Sequence, residues 1–279
     1  MKYHIPKELN MRSYYFLCSM PAIALLLFGC CLASAKDAAA IDKAALENAF
    51  TALKSLEPGQ DLKVLKPLDD AVIAAHDDAA VRKDLETKLA AVLKTDASRT
   101  AKDYVCRKLM VVGTAESVPA LAALLADKDN SHMARYALER IPASEAAKAL
   151  QDALPKVSGV LKVGVIGSLG ARRDAASVPA LAALLNDEDK AIACAAACAL
   201  GDIGNAEAAK VLVESAKKSP EGVKQAVADG SLACAERLLA DGKKAEAMQV
   251  YKAFTGENQP KHVRLAATRG LLSVAEKKN

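Results

Sequence analysis

The nine residues Ser-Val-Pro-Ala-Leu-Ala-Ala-Leu-Leu occur twice in this chain, at Ser117–Leu125 and again at Ser177–Leu185. The two copies are 60 residues apart, which leaves room for one intermediate copy. That copy is present in weaker form, because Leu150 follows Leu121 by 29 residues and precedes Leu181 by 31. Self-similarity at a fixed period of about 30 residues is the mark of a repeat protein.

Each period is predicted to form two helices. The first carries leucines at i, i+3 and i+4, which makes one apolar stripe. An acidic turn follows, as at Asp127–Asp129, and an Asp at a helix start accepts hydrogen bonds from free N–H groups. The second helix is predicted over Ala191–Leu200 in the best-preserved period. Equivalent helix ends, where a left-handed residue is favoured, are predicted at three glycines: Gly113, Gly170 and Gly204.

The second helix also carries a family resemblance. Asp187–Gly204 has the pattern Asp-x-Asp…Ala-x-x-Ala-Ala-x-Ala-Leu-Gly-x-Ile-Gly, which resembles the HEAT repeat, in particular its short phycobilisome-lyase-like form. The resemblance is good over residues 78–204 and looser over 205–276, and the whole chain is similar to exported bacterial HEAT-repeat proteins. The resemblance implies an all-α fold, an α-solenoid in which six to seven helical hairpins form a right-handed superhelix.

Four segments are predicted along the chain. They are a signal peptide at 1–35, capping helices at 36–77, HEAT-like repeats at 78–240 and a capping helix pair at 241–279. The capping helices are predicted over four stretches: Ile41–Leu56, Asp61–His76, Lys243–Phe254 and Pro260–Glu276. Terminal units of a repeat stack must shield its core from water, so their irregular sequences suit this role.

The N-terminus has the features of an export signal. An apolar run at Tyr14–Leu32 follows Arg12 and leads into the small-residue cleavage site Ala33-Ser-Ala35. Met11 is a possible alternative start, which would give the signal an ordinary length. The protein is therefore predicted to be exported to the periplasm or the cell exterior, with no membrane span once the signal is removed.

Two alternatives remain open for the same segment. Leu27–Cys30 resembles a bacterial lipobox, which would make the protein a membrane-anchored lipoprotein with a lipid anchor at Cys30. The apolar run is also about long enough to remain as an uncleaved membrane anchor.

Charge and cysteine content narrow the function classes. The net charge is +4, and it falls to +2 (35 basic and 33 acidic residues) without the first 35 residues. Nucleic-acid-binding proteins usually show a strong basic bias, so no nucleic-acid partner is predicted. The cysteines outside the signal are Cys106, Cys194, Cys198 and Cys234, an even number that permits disulfides in an exported protein. Cys194 and Cys198 are either small buried hydrophobes or members of a disulfide, for instance of one of them with Cys234.

No catalytic, cofactor-binding or metal-binding residue is predicted, because the chain lacks Gly-x-Ser-x-Gly, His-Glu-x-x-His and phosphate-loop motifs. The candidate partner-binding surface lies on second helices instead. His132, Arg135 and Glu139 share one helical face, and Arg172 and Arg173 end the next second helix. This patch is predicted to bind an acidic protein partner. The alternative is that these side chains are solvated charges and interhelical pairs.

Two function classes follow. The first is a non-enzymatic scaffold that binds a protein partner through its solenoid surface outside the cytoplasm. The second, implied by the resemblance alone, is a chromophore-lyase-like or other cofactor-handling HEAT protein. The export signal argues against the second class, because lyase chemistry of that kind is cytoplasmic. The partner's identity and the oligomeric state stay open.

Overall fold

The computed structural model of the chain describes residues 42–276, and these residues form fourteen α-helices and no β-strand. The helices are α1 (Lys43–Lys54), α2 (Lys66–Ala74), α3 (Ala79–Val92), α4 (Arg99–Val112), α5 (Val118–Ala122), α6 (Ser131–Arg140), α7 (Ser144–Ala153), α8 (Gly159–Ala171), α9 (Val178–Leu184), α10 (Lys190–Ile203), α11 (Ala206–Ser215), α12 (Glu221–Ala240), α13 (Lys244–Ala253) and α14 (Lys261–Glu276). Short 3-10 turns precede α2, α5 and α9 and follow α7. The predicted all-α class is confirmed.

Consecutive helices pair into seven hairpins within the described residues, from α1–α2 to α13–α14. The second helices form one layer, in which each of α4, α6, α8, α10 and α12 contacts the next. The first helices form the other layer, with contacts such as α5 with α7 and α9 with α11. The prediction of six to seven HEAT-like hairpins in an α-solenoid is confirmed.

The duplicated nonapeptide forms the first helices α5 and α9. Leu121 and Leu181, its central leucines, are completely buried between the two layers. Pro119 and Pro179 lie in the first turns, where a missing N–H costs no helical hydrogen bond. The identical sequence is therefore used for the core and for helix initiation.

The two copies obtain their helix-start acceptors differently. Before α5, the buried carboxylate of Glu86 accepts hydrogen bonds from the backbone N–H of Thr114 (2.6 Å) and of Ser117 (3.1 Å). Glu86 belongs to α3, in the preceding hairpin. Before α9, Asp174 accepts a hydrogen bond from the Ser177 hydroxyl within its own unit. A negative charge suits a helix N-terminus in both cases.

Glycine and alanine bring the second helices into backbone contact. A Cβ atom on Gly170 of α8 would lie 2.8 Å from Cα of Ala199 in α10. A Cβ on Gly201 would lie 2.6 Å from the Gly230 carbonyl oxygen in α12, and one on Gly230 would lie 2.4 Å from that of Ala197. No real side chain fits at such distances, so these residues fix the spacing of α8, α10 and α12.

Only one of the three predicted glycine helix ends is left-handed. Gly204 ends α10 with φ +63°, whereas Gly113 follows α4 in an extended conformation. The prediction for Gly170 is wrong, because Gly170 lies inside α8, where it is required for contact with α10. Arg173 is the left-handed residue at the end of α8 instead, with φ +53°. Its N–H donates a hydrogen bond to the Gly170 carbonyl at 2.8 Å.

The acidic turns also differ between units. Asp189 caps α10 as predicted, accepting a hydrogen bond from the Ala191 N–H at 2.9 Å. In the earlier unit, Asp127 closes the turn by accepting from the Asp129 N–H at 2.8 Å, and no side chain caps the start of α6. The cap predicted there is wrong, since Asp127 holds a local turn rather than a helix N-terminus.

The N-terminal hairpin is joined to the repeats through Asp69 of α2. Its carboxylate lies 2.6 Å from Lys108 Nζ and accepts a hydrogen bond from the Tyr104 hydroxyl at 2.7 Å, both from α4. The Lys108 ammonium also lies 4.6 Å from the centre of the Tyr104 ring. Burial opposes ionisation of Asp69, but these two hydrogen bonds outweigh it and hold the pKa of Asp69 below its ordinary value.

The predicted segment boundaries fall between hairpins. Residue 78 lies just before α3 and residue 241 just after α12, while the capping role of the terminal pairs stays a prediction. The signal peptide at 1–35, the start at Met11 and the lipid anchor at Cys30 lie outside the described residues. Within residues 42–276, no helix combines the length and apolar character needed to cross a bilayer.

Candidate partner-binding surface

Two of the predicted surface residues connect α6 to α8. Arg135 donates hydrogen bonds from Nη1 to the Gly164 carbonyl (3.0 Å) and to Ser168 Oγ (3.3 Å). Glu139 accepts from the same Ser168 hydroxyl at 2.7 Å. Gly164 makes room for the guanidinium, because a Cβ there would lie 2.4 Å from Arg135 Cζ. These contacts match the alternative that the side chains form interhelical pairs. Of His132, Arg135 and Glu139, only His132 is exposed.

Burial of Arg135 has an electrostatic cost. It lowers the pKa of the guanidinium, and the nearby Glu139 carboxylate opposes that shift. Among the described residues, Nε of Arg135 has no hydrogen-bond partner. The charge is therefore held in place by Glu139 and two acceptors on α8, and little of it is presented to an incoming ligand.

Arg172, at the end of α8, caps the end of α6. Its guanidinium donates to backbone carbonyls of four residues: Leu138, Glu139 (3.3 Å), Ile141 (2.7 Å) and Ala143 (3.1 Å). The last carbonyls of a helix have no partner within the helix, so this single side chain satisfies the end of α6. The geometry explains why an arginine is required at this position.

Arg173 makes the corresponding connection in the other direction. Its Nε donates to the Ile203 carbonyl at the end of α10 (3.2 Å), and its Nη2 lies 2.7 Å from the Asp241 carboxylate. The side chain is 41% exposed, so this ion pair is screened by solvent. Arg172 and Arg173 thus tie α8 to the hairpins on either side.

The solvent face of α6 is basic and aromatic. His132, Tyr136 and Arg140 follow one another at four-residue intervals and so lie on one side of the helix. His132 and Arg140 are exposed, Tyr136 is half-buried, and the Arg140 guanidinium lies 6.0 Å from the Tyr136 ring centre. Sequence reasoning missed Tyr136 and Arg140, although their positions four and eight residues after His132 were visible.

We call the solvent-facing side of α6, α8, α10 and α12 the second-helix groove. Neighbouring helices and the first-helix layer cover the other sides of these helices, so their exposed residues lie on one common side. The two middle helices present mainly small residues there: Gly167, Ala171, Ala191, Ala195 and Cys198. Longer side chains on α6 and α12 stand on either side of this floor.

The α12 wall of the groove is acidic. Asp229 and Glu236 are exposed and seven residues apart, which places them on one face of the helix. Asp229 accepts a hydrogen bond from Gln225 at 2.8 Å, and neither carboxylate is in an ion pair within the described part of the chain. The groove therefore has a basic wall and an acidic wall about three helix spacings apart, or roughly 25–30 Å.

All four cysteines in the described range are free thiols. Cys106 and Cys234 are buried, and burial raises their pKa values to about 12 and about 11. Cys194 is partly buried, and Cys198 is exposed on the groove floor with its pKa raised by partial desolvation and by Asp202. Cys106 and Cys234 pack as small hydrophobes. The interpretation of Cys194 and Cys198 as small buried hydrophobes is wrong for Cys198, which is exposed. No metal-binding group of three or more His, Cys, Asp or Glu side chains occurs in residues 42–276.

The chain is similar to a protein family and to several solved structures. The family model of HEAT repeats matches residues 158–231, which run from α8 into α12. No curated protein matches the chain. Similar solved structures include an engineered protein (20% identity, 75% of this chain and 96% of that chain covered, TM-score 0.34). Two others are an archaeal HEAT-like repeat protein from Thermococcus onnurineus NA1 (15%, 85% and 94%, 0.37) and human deoxyhypusine hydroxylase in complex with glycerol (14%, 84% and 96%, 0.33).

Proposed function

Because the chain carries HEAT repeats, we propose that it is a non-enzymatic scaffold that binds a protein partner through the second-helix groove, outside the cytoplasm. The observation that carries the proposal is the distribution of small and charged side chains across the second-helix groove. Small residues on α8 and α10 form a floor on which a partner's backbone can lie close. The walls on α6 and α12 have opposite charge, which favours one orientation of the bound segment.

The partner segment follows from that charge distribution. A segment crossing α8 and α10 places one end near His132 and Arg140 and the other near Asp229 and Glu236. Complementarity requires an acidic end over α6 and a basic end over α12. Arg135, Glu139, Arg172 and Arg173, proposed with His132 as the binding patch, then serve mainly to hold the helices that form the groove.

Export is the second part of the proposal. It is supported by the apolar run Tyr14–Leu32 and the cleavage site that follows it. N-terminal sequencing of the protein recovered from a periplasmic fraction tests it, with a new N-terminus after Ala35 expected. A new N-terminus at a lipidated Cys30 would identify the lipoprotein alternative instead.

The groove is tested by reversing one charge on each wall. The protein carries a photo-cross-linking residue at Ala195 on the floor, and cross-linked partners are identified by mass spectrometry. Arg140→Glu and Asp229→Lys together are expected to reduce the cross-linked yield at least tenfold. The matched control reverses two exposed charges of α11 in the other layer, Lys210→Glu and Glu214→Lys, and should retain full yield. Equal yields from the two double variants would rule out the groove as the binding site.

A further inference from the structure

A cavity of about 440 Å³ opens between α12, α13 and α14, beyond the acidic wall of the groove. Its floor is apolar and includes Leu239, Tyr251 and Ala266. Glu236 and Arg269 line it from α12 and α14 respectively. A volume of this size lies within the range of binding pockets that hold a small molecule or an anchoring side chain.

Tyr251 accounts for the existence of this cavity. The tyrosine is buried, and its ring packs on Gly270 so closely that a Cβ on Gly270 would lie 2.3 Å from Tyr251 Cε1. The ring comes from α13 and sits beneath the junction of α12 and α14. As a result α14 lies less closely against α12 than α10 does through Gly201 and Gly230. The wider spacing leaves an opening on the groove side of the last hairpin.

The charges at this opening are of opposite sign and are not joined to each other. Glu236 and Arg269 are both exposed, and no ion pair within 4.0 Å links them in the described residues. Each therefore has hydrogen-bonding capacity available toward a ligand that enters between α12 and α14. A ligand that fills the cavity meets a carboxylate on one side and a guanidinium on the other.

Two exposed leucines outside the cavity lie on the same side of α14 as Arg269, which lines the cavity. Leu265 and Leu272 are each 60% exposed and are seven residues apart, so they lie on one face of the helix. Exposed leucines in series beside a pocket extend the contact area beyond what a small molecule covers. The occupant that fits both the pocket and this strip is a peptide segment.

We propose that this cavity binds a peptide segment that inserts one large aliphatic side chain between a basic residue facing Glu236 and an acidic residue facing Arg269. This inference rests on the proposed function, because the segment would belong to the same protein partner. It adds an apolar anchor at the end of the groove, where Glu236 is shared by the acidic wall and the cavity.

The test uses synthetic peptides and the protein, with binding followed through NMR shifts of the Leu239 and Ala266 amides. The probe is acetyl-Gly-Lys-Ser-Leu-Ser-Glu-Gly-amide, and the matched peptide has Ala in place of Leu. Burial of a leucine side chain predicts at least tenfold tighter binding of the Leu peptide. A third peptide with Gln at both charged positions is expected to bind a few-fold more weakly than the probe, with the difference lost at high salt.

Two protein variants locate the site. Ala266→Trp fills the cavity from an exposed position and is expected to weaken the Leu peptide at least tenfold, whereas Thr268→Trp, also exposed on α14 but away from the cavity, should bind like wild type. Matching thermal unfolding curves establish that both variants are folded. Equal affinity of the Leu and Ala peptides, or unchanged binding by Ala266→Trp, would overturn the inference.

The same peptides separate this inference from the proposed function. The Arg140→Glu, Asp229→Lys protein should still bind the Leu peptide, because neither residue lines the cavity. If that protein no longer binds the partner and the wild-type protein does not bind the peptide, the groove is supported as the binding site and the cavity is excluded. If the peptide binds normally and the groove variant still binds the partner as the wild-type protein does, the groove is excluded and the cavity is supported.

Discussion

Replacing Arg172 with alanine should destabilise the protein without touching any solvent-facing surface of the groove. The Arg172 guanidinium donates to carbonyl oxygens of Leu138 and Glu139 in the last turn of α6. It also donates to those of Ile141 at 2.7 Å and Ala143 at 3.1 Å in the turn that follows. Alanine removes this donor from all four carbonyls, of which that of Ala143 keeps a second one, the Ala146 N–H at 3.2 Å. The change also removes a partly buried charge, whose desolvation lowers the pKa of Arg172, and this returns a small part of the loss.

The magnitude follows from the number and kind of these bonds. A hydrogen bond to a charged group contributes about 1.5–3 kcal/mol, and several bonds made by one half-exposed side chain do not add fully. We expect the free energy of unfolding to fall by about 2–4 kcal/mol, a large fraction of a typical domain's stability. Arg173→Ala is the matched control, since it removes only one carbonyl contact and one exposed ion pair and should cost less, about 1–2 kcal/mol.

Urea unfolding followed by circular dichroism measures both variants. Hydrogen exchange adds a local readout, because the last turn of α6 should exchange faster in Arg172→Ala and at the wild-type rate in Arg173→Ala. Arg172→Lys keeps the charge but not the fork of donors, so it should recover less than half of the loss. Equal destabilisation by Arg172→Ala and Arg173→Ala would refute the capping argument.

Two further predictions concern helix spacing and acid stability. Gly201→Ala should lower the free energy of unfolding by about 2 kcal/mol or more, because its Cβ would lie 2.6 Å from a backbone oxygen of α12. Gly167→Ala, whose Cβ would have nothing within 4 Å, should raise the free energy of unfolding by up to about 1 kcal/mol. Urea unfolding measures both variants, and similar effects of the two would refute this account of helix spacing. Asp69, whose folded pKa lies below its ordinary 3.8, contributes stability that is complete above that value and is lost as the pH falls further. The difference in unfolding free energy between wild type and Asp69→Asn should thus be full at pH 6 and shrink below about pH 4; a difference that stays constant down to pH 2.5 would contradict it.

Much of the fold was predictable because its signals are local. The leucine stripes, the prolines in first turns and the spacing of the copies all act within one hairpin, and they predicted the helices and their pairing. Gly170 shows where such reasoning fails. Its position near a helix end favoured a cap, but its use is set by Ala199 of the next hairpin, and a contact between hairpins leaves no periodic trace in the sequence.

The contacts of the candidate surface also depend on a neighbouring hairpin. His132, Arg135 and Glu139 do share one side of α6, yet a difference of one position decides whether a side chain reaches α8 or solvent. Tyr136 and Arg140 follow His132 on the solvent-facing side of α6. The cavity by Tyr251 arises from the meeting of three helices, so no pattern within a single helix indicates it.

The position of the Glu86 carboxylate determines how much of the chain must be transferred when a single repeat unit is moved into another protein. It serves the helix start at Ser117, one hairpin later in the chain, whereas Asp174 serves Ser177 from within the same unit. A fragment that begins at Asp174 keeps this acceptor for the start of α9, whereas a fragment that begins at the matching residue Thr114 lacks Glu86 for the start of α5. A fragment that contains Ser117 must therefore begin at α3 to keep this hydrogen bond. The two copies have identical sequences but cannot be exchanged for each other.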